Sequence, residues 1–344
     1  MSSFKVDVVL PPGIEPARQA AKTFEATGYQ GLYTVETTND PFLDLAFPAV
    51  ETTKPMLGNN LAIAFARSPY VTAVLAWNLQ QASKGRFCLG LGTQVKGHIE
   101  RRFGMTWESP GPKFREYVAC LKELWSAWQE RRPAQHRGKF YNSTVNNPFF
   151  TPGPIEYPAP KVFIAAINEY NAETVGVIAD GILIHPLHSP KYIDDVLMPA
   201  INKGLAKSGR KREDITIVCP IFLAVGDTDE QAASAASFVK QQAAFYGSTR
   251  SYRRIFETHG WDDTPPKLHE RMSKGDMAGM PAEITDEMVN VFAITGRTDD
   301  AVDEIKRRYE GRVDRIYFYN AFATPFAEQA RQRELIASLS SSSS

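Results

Sequence analysis

Short β-rich runs alternate with helical stretches along most of the chain, and this alternation constrains the fold more than any other feature of the sequence. Strands that alternate with helices form parallel sheets covered by crossover helices. The predicted strands span residues 4–10, 29–35, 60–65, 86–91, 161–166, 181–185, 215–225 and 313–319. Eight such units are what a (β/α)8 barrel requires, so we predict an α/β fold of the TIM-barrel class.

An open doubly wound sheet is the alternative fold for the same alternation of elements. It would place a Gly-x-Gly-x-x-Gly turn after the first strand, where this chain has Leu10, Pro11, Pro12 and Gly13. Two stretches, at about 136–160 and 247–292, lack clear periodicity and are predicted to be insertions. We therefore expect one barrel domain over residues 1–339, with the serine-rich residues 340–344 as a disordered tail.

The charge balance and the cysteine content of the chain exclude several classes of partner. Lys plus Arg and Asp plus Glu each number 39, so no net charge attracts nucleic acid or an anionic membrane. No apolar run reaches the roughly 18 residues that a membrane helix needs. The cysteines Cys88, Cys120 and Cys219 are few and far apart, which fits a reducing compartment. We expect a cytoplasmic protein that acts on a small molecule, with no nucleic-acid or membrane partner.

The most informative stretch of the sequence runs from Ser83 to Thr93 and reads SKGRFCLGLGT. Gly90 and Gly92 stand at the predicted carboxyl end of the fourth strand, where active sites of barrels lie. Glycine there would let a ligand approach the main chain closely, and the Thr93 hydroxyl could bind a phosphate or a ring carbonyl. The same glycines also suit a tight strand-to-helix turn, so the residues alone leave both readings open.

Together with Arg67, Ser68 and Pro69 at the preceding helix start, this stretch resembles the luciferase-like monooxygenase superfamily. Its pattern is an Arg-x-Pro helix start, a Ser-x-Gly-Arg turn and a Leu-Gly-x-Gly strand end. Residues 36–42 and 97–104 are similar to the branch that uses coenzyme F420, a deazaflavin. The resemblance implies hydride transfer between F420 and a small organic substrate in a homodimeric enzyme. Flavin mononucleotide (FMN) is the alternative cofactor, because its users share the same barrel.

The resemblance implies that cofactor contacts follow the fourth strand, at Gly92, Thr93, Gln94 and His98. Deazaflavin-dependent sugar-phosphate dehydrogenases carry a catalytic glutamate two residues after that threonine, whereas this chain has Val95. Lys96, Arg101 or Arg102 could meet the anionic tail of the cofactor.

The end of the second strand carries Glu36 and Thr37, where the same relatives have an Asp-His pair. Glu36 could accept a hydrogen bond from the cofactor, but Thr37 cannot shuttle protons near neutral pH as histidine can. We assign both residues to the catalytic site. Asp40, before Pro41, is expected to be a helix cap.

Relatives often have a bulge with a non-prolyl cis peptide at the end of the third strand, behind the central ring of the cofactor. We place that bond at Ala64–Phe65 and expect both residues to contact the cofactor. After the fifth strand, Ile167 and Asn168 replace the Gly-Gly pair of relatives. Main-chain amides there begin a helix and could still bind a phosphate.

His185 and His188 follow the sixth strand. His185 is predicted to be a catalytic residue that donates a hydrogen bond or a proton to the substrate, whereas Trp77, Trp125 and Trp128 are assigned to the core. No third ligand accompanies the two histidines, so no metal site is expected. The replacements Val95 and Thr37 also leave open a protein that carries or senses F420 without catalysis.

Overall fold

The computed structural model describes residues 4–145, 147–320 and 324–340. Its strands are β1 (Lys5–Val9), β2 (Gly31–Thr34), β3 (Met56–Asn59), β4 (Ala62–Ile63), β5 (Phe87–Gly92), β6 (His136–Arg137), β7 (Asn142–Ser143), β8 (Lys161–Ala166), β9 (Gly181–Ile184), β10 (Thr216–Gly226), β11 (Ala293–Arg297) and β12 (Arg315–Phe318). Eight of them pair in parallel in the closed order β1-β2-β3-β5-β8-β9-β10-β12 and back to β1. This closed parallel sheet confirms the predicted TIM barrel.

Helices surround the barrel and connect successive strands. They are α1 (Ile14–Thr27), α2 (Ala46–Glu51), α3 (Pro69–Ala82), α4 (Lys96–Arg101), α5 (Pro110–Gln129), α6 (Glu169–Ile178), α7 (Pro190–Tyr192), α8 (Met198–Ser208), α9 (Asp229–Gly247), α10 (Arg253–Glu257), α11 (Thr264–Ser273), α12 (Asp286–Phe292), α13 (Ala301–Tyr309) and α14 (Gln329–Ser340). A π turn, Ile193–Leu197, joins α7 to α8. Trp77 on α3 and Trp125 and Trp128 on α5 are all buried, which confirms that they belong to the core.

The barrel interior identifies the side chains that reach its carboxyl-terminal mouth. One buried cluster fills the interior: Tyr33, Cys88, Phe163, Leu183, Val218 and Tyr317. Side chains two residues apart on a strand point to the same side of the sheet. Since Leu183 and Tyr317 point inward, His185 and Tyr319 also lie on the inner side, at the mouth. By the same alternation, Gly90 and Gly92 follow Cys88 on the inner side of β5.

The predicted third strand is wrong in position. Residues 60–65 were expected to form it, but the barrel strand is β3, which begins at Met56 and ends at Asn59. The expected stretch instead contains a bulge at Asn60 and Leu61 and then the short strand β4, which pairs with Leu91 and Gly92 of β5. The barrel strand starts four residues earlier than predicted, and Gly58 within it packs closely against its neighbours. A Cβ at Gly58 would lie 3.0 Å from both the Cys88 carbonyl oxygen and the Tyr33 ring.

The two aperiodic stretches contain short elements of their own. Residues 136–160 hold the antiparallel β6–β7 pair, with His136 opposite Ser143. Residues 247–292 include α10, α11 and α12. The next strand, β11, pairs in parallel with residues 222–226 of β10, at the end of β10 that continues beyond the barrel. Residues 341–344 of the expected tail lie outside the described residues. No helix within the described part of the chain is long and apolar enough to cross a membrane.

Candidate active site at the barrel mouth

A bulge between β3 and β4 forms one wall of the mouth. Its cis peptide bond joins Asn60 to Leu61, so the expected position at Ala64–Phe65 is wrong. Ala64 and Phe65 are buried and form the start of a single 3₁₀ turn, Ala64–Ala66, after β4. The prediction failed because the whole strand lies several residues nearer the amino terminus than the apolar run suggested.

The glycines of β5 accommodate this bulge. A Cβ on Gly90 would lie 1.8 Å from the carbonyl oxygen of Asn59, and one on Gly92 would lie 2.7 Å from a methyl group of Leu61. Both positions therefore need glycine because the protein's own bulge lies where their side chains would be. The expected contact between Gly92 and a cofactor stays a prediction.

Glu36 is held by partners from the protein itself. Its Oε2 accepts hydrogen bonds from the Ile63 amide (2.7 Å) and from Nη1 of Arg67 (2.7 Å). The other guanidinium nitrogen of Arg67 donates to Oδ2 of Asp40 at 2.8 Å. Only 8% of the Glu36 side chain is exposed. This carboxylate fixes the end of β4 against β2, and its remaining lone pairs are what it can offer a ligand.

Asp40 performs the capping role expected for it. Its Oδ1 accepts hydrogen bonds from the amides of Phe42 and Leu43. Burial raises the pKa of Asp40, but the hydrogen bonds from Arg67 and from the two amides outweigh burial, so the pKa lies below its usual value. Thr37, on the same loop, is exposed, and its carbonyl oxygen accepts a hydrogen bond from Arg102.

The segment after β5 turns sharply into α4. Gln94 has a positive φ of 60°, and its side-chain Oε1 accepts a hydrogen bond from the Val95 amide at 3.0 Å. The Thr93 hydroxyl donates to the Gln94 carbonyl oxygen at 3.1 Å. His98 lies on α4 and is exposed. The predicted cofactor residues of this segment thus form one continuous loop and helix beside the mouth.

The segment after β8 begins a capped helix. Oδ1 of Asn168 accepts a hydrogen bond from the Asn171 amide at 2.9 Å and caps α6. The Ile167 carbonyl oxygen accepts a hydrogen bond from the Tyr192 hydroxyl at 2.8 Å. Ile167 follows Phe163 and Ala165 on the inner side of β8, so it lies at the mouth.

His185 lies at the mouth within a set of aromatic rings. Its ring centroid is 4.5 Å from that of Tyr246 and 4.5 Å from that of Tyr252. The hydroxyls of Tyr246 and Tyr319 are 2.8 Å apart. We call His185, Tyr246, Tyr252 and Tyr319 the mouth cluster. Sequence reasoning found the strand-end residues His185 and Tyr319 but missed Tyr246 and Tyr252, which come from α9 and the 3₁₀ turn after it.

Burial keeps three side chains of the mouth cluster, His185, Tyr246 and Tyr252, uncharged at neutral pH. Burial, with a smaller contribution from His188, lowers the pKa of His185 to about 3. Nδ1 of His185 accepts a hydrogen bond from the Leu187 amide at 3.1 Å, so Nε2 carries the proton of the neutral ring. Burial also raises the pKa of Tyr246 and of Tyr252. In this neutral form, His185 can donate a hydrogen bond through Nε2.

Two cavities lie beside the second insertion and away from the predicted cofactor residues. One, of about 330 Å³, is lined by residues that include Ser189, Lys191 and His259. The other, of about 360 Å³, is lined by residues that include Arg250, Pro265 and His269. Within the described ranges, no three His, Cys, Asp or Glu side chains are grouped so that they could hold a metal ion.

The chain is similar to known proteins over almost its whole length. A family model described as luciferase-like monooxygenase matches residues 3–315. An uncharacterised protein of Mycobacterium tuberculosis is 43% identical over 312 residues, which cover 91% of this chain and 92% of that protein. A 5,10-methylenetetrahydromethanopterin reductase of Archaeoglobus fulgidus is 27% identical over 277 residues, 79% of each chain.

The fold is likewise similar to a solved structure. The coenzyme F420-dependent tetrahydromethanopterin reductase of Methanopyrus kandleri matches with a TM-score of 0.77 and 20% identity, covering 98% of this chain and 97% of that chain. At that identity the match supports the barrel fold alone. The family match extends from the first strand into the last, through the bulge, the glycines of β5 and the mouth. This chain belongs to the luciferase-like monooxygenase family.

Proposed function

We propose that this protein is an F420-dependent oxidoreductase that transfers a hydride between the deazaflavin and a small organic substrate. The observation that carries the proposal is the bulge of Asn60 and Leu61, which is held at the mouth by the glycines of β5 and by Glu36. The reductase of Archaeoglobus fulgidus and the F420-dependent reductase of Methanopyrus kandleri support the same reaction type. When bound, the deazaflavin would supply the hydride chemistry, and the protein would supply position and electrostatics.

The residues at the mouth fit a flat ring. Leu61 presents an apolar side chain at the bulge, and Gly92 leaves room for that side chain. Arg67 and Glu36 fix the bulge from behind through the Ile63 amide. A surface that is held in this way can bind a planar ring without rearrangement, which lowers the entropic cost of binding.

The residues after β5 fit an anionic tail. Lys96 and His98 are exposed on α4, and the Lys96 ammonium lies 3.9 Å from its carboxylate neighbour Glu100. Arg101 is also exposed on this helix, and Arg102 follows it. Thr93, Gln94, Ile167 and Asn168 would complete the polar rim. Cations that are exposed and loosely paired can bind phosphate or carboxylate groups at little desolvation cost.

Direct titration with both cofactors tests the proposal. F420 and FMN are added separately to the cofactor-free protein, and binding is measured from the change in cofactor fluorescence. We expect F420 to bind at least about ten-fold more tightly than FMN, and Lys96→Ala combined with Arg101→Ala to weaken F420 binding at low salt. Glu213→Gln, on an exposed turn far along the chain, serves as the control.

The outcome also separates the alternatives. Tighter binding of FMN, with oxygen uptake after reduction, would support the monooxygenase chemistry for which the family is named. Tight F420 binding without turnover of alcohols, imines, activated alkenes or nitro compounds would support a carrier or sensor. Val95 and Thr37 favour that outcome over an enzyme with acid-base groups at those two positions, because neither side chain exchanges protons near pH 7. Gel filtration with light scattering tests the expected homodimer.

A further inference from the structure

The mouth cluster lies across the barrel from the bulge and the glycines. In the closed strand order, β12, which leads to Tyr319, stands opposite β5, which ends at Gly92. Likewise β9, which leads to His185, stands opposite β2, which leads to Glu36. A molecule bound against Leu61 would therefore have the mouth cluster on its far side. The cluster is the wall that a second molecule, bound between the two sides, would touch.

The mouth cluster offers neutral hydrogen-bond donors to such a molecule. Nδ1 of His185 accepts the hydrogen bond of the Leu187 amide, so Nε2 carries the ring proton. That Nε2–H has no hydrogen-bond partner among the described residues. In the pair of hydroxyls on Tyr246 and Tyr319, one donates to the other, which leaves the second hydroxyl proton available. Tyr319 is 38% exposed, so a ligand can reach its side chain.

The arginines of the neighbouring turn and helix either have carboxylate partners or line another cavity. Arg250, on the turn that ends at Tyr252, lines the cavity of about 360 Å³ beside α11. Arg253 pairs with Glu257 at 2.7 Å, and Arg254 lies 3.5 Å from Glu169. The buried ring of Phe222, whose centroid is 5.0 Å from that of Tyr319, supports the Tyr319 ring from within the core. A charged group placed here would lose hydration without gaining an ionic partner, which is costly. For an uncharged ring with one acceptor oxygen, the free-energy cost of losing hydration would be small.

We propose that the mouth cluster binds an uncharged, ring-bearing carbonyl compound, with the carbonyl oxygen accepting hydrogen bonds from His185 and from the Tyr246–Tyr319 pair. This inference rests on the proposed function for its biological meaning, since the compound would be the substrate that faces the cofactor. The aromatic face of Tyr252 would contact its ring.

Three probes of similar size test the inference. Acetophenone carries a ring and a neutral carbonyl, benzoate carries the same ring and a negative charge, and ethylbenzene has no acceptor. Binding to the protein is measured by ligand-observed NMR, both without cofactor and with F420 present. We expect acetophenone to bind at least about ten-fold more tightly than benzoate. We expect Tyr319→Phe to lower the affinity for acetophenone about five-fold, because one neutral hydrogen bond is lost.

Matched variants distinguish the loss of a binding contact from a loss of the folded structure. Tyr319→Phe keeps the ring and is expected to leave ethylbenzene binding unchanged. Tyr70→Phe is the control, because the Tyr70 hydroxyl donates to the Phe150 carbonyl oxygen, away from the mouth. Thermal unfolding of each variant checks that the fold is intact. Equal binding of the three probes, or acetophenone binding that Tyr319→Phe does not change, overturns the inference.

The two proposals can fail separately. If F420 does not bind while acetophenone shows the expected preference and sensitivity to Tyr319→Phe, the cofactor assignment fails and the carbonyl site remains. If F420 binds and acetophenone shows no preference, the mouth cluster is not the substrate wall.

Discussion

Arg67 shows at the level of single residues how this site is assembled. One guanidinium nitrogen binds Glu36 and the other binds Asp40, and only 15% of the Arg67 side chain is exposed. Because Glu36 also accepts the Ile63 amide, the three side chains tie the end of β2 to β4. Glu36 thus acts on the mouth by positioning the bulge, beyond whatever direct contact it makes with a cofactor.

Substitution of Glu36 separates these two roles. Glu36→Gln keeps an oxygen that can accept the hydrogen bond of the Ile63 amide. Glu36→Ala leaves that amide without its acceptor and leaves Arg67 with Asp40 as its carboxylate partner. We expect Glu36→Ala to lower the free energy of unfolding by about 2–3 kcal/mol and Glu36→Gln by about half as much. Urea unfolding measures both. The exposed Glu15→Gln is the control, and equal losses for Gln and Ala at position 36 would contradict the positioning role.

His188 is a histidine whose titration, together with that of His185, should lower stability in mild acid. Its Nδ1–H faces the His185 carbonyl oxygen at 2.9 Å, and its Nε2 accepts a hydrogen bond from the Tyr309 hydroxyl at 3.1 Å. Cys219 Sγ also contacts Nε2, at 3.2 Å. Burial lowers the pKa of His188 to about 4, although its two carbonyl partners oppose this shift. Protonation of Nε2 would end its role as an acceptor.

The sign of the resulting pH dependence follows from proton binding. Between pH 6.5 and about 4 the unfolded chain binds a proton at His188 that the folded protein does not. The contribution to stability is therefore complete above pH 6.5 and is lost as the pH falls, by up to about 1.4 kcal/mol per pH unit. We expect His188→Asn to reduce the slope of the pH profile of urea unfolding in that window by about half. His185, whose pKa is lowered to about 3, supplies the slope that remains.

At the scale of secondary structure, the bulge and β5 form one unit. The carbonyl oxygen of Asn59 occupies the space of a Gly90 side chain, whereas only the flexible end of Leu61 occupies that of Gly92. We expect Gly90→Ala to cost more than about 3 kcal/mol of unfolding free energy and Gly92→Ala about 1–2 kcal/mol. Gly153→Ala, with no atom within 4 Å of the added carbon, should change stability by less than about 0.5 kcal/mol.

A second substitution checks whether Leu61 is the obstacle. Leu61→Ala removes the methyl groups that a Gly92→Ala side chain would meet, so the double variant should lose less stability than the sum of the two single variants. Strict additivity would mean that the two positions do not compete for space. F420 titration of the same variants would show whether movement of the bulge also weakens cofactor binding.

The elements also show which parts of the structure local sequence can predict. Strand β10 lies within one residue of its predicted bounds because its β-branched and apolar residues favour a strand by themselves. Strand β3 contains Gly58 and Asn59, which local propensity disfavours, and it is fixed by close packing of Gly58 against Tyr33 and Cys88. That packing joins distant segments, so the neighbouring apolar run was mistaken for the strand.

The candidate site also contains some residues that local sequence predicts and others that it does not. Gly92, Ile167, His185 and Tyr319 follow strands directly, so counting along each strand places them at the mouth. The motif resemblance led to the loop of Thr93 and to His98. Tyr246 and Tyr252 reach the mouth because α9 packs against β10 and, with the turn after it, brings both rings against His185. No local sequence pattern marks that contact.

At the scale of the whole molecule, a buried ion pair joins the first and last barrel strands. Arg315 of β12 donates to Asp7 of β1 at 2.7 and 2.5 Å, and also to the Gln30 carbonyl oxygen at 2.9 Å. Burial opposes the charge on Arg315, but Asp7 outweighs it and raises the pKa of the guanidinium above its usual value. Gly31 gives the pair its space, since a Cβ there would lie 2.5 Å from the Asp7 carboxylate.

Removing one partner of this pair should cost far more than removing both. Arg315→Met leaves the Asp7 carboxylate buried and unpaired, so we expect a loss of about 3–5 kcal/mol in the free energy of unfolding. Asp7→Leu combined with Arg315→Met leaves no buried charge, and the double variant should be more stable than Arg315→Met alone. Urea unfolding of the single and double variants gives the coupling energy. The exposed pair of Glu270 and Lys274 provides the comparison, and we expect no measurable loss for Glu270→Gln because solvent screens this pair. If the effects at Asp7 and Arg315 simply add, barrel closure does not depend on the pairing of these two charges, and the parallel pairing of β1 with β12 must suffice to close it.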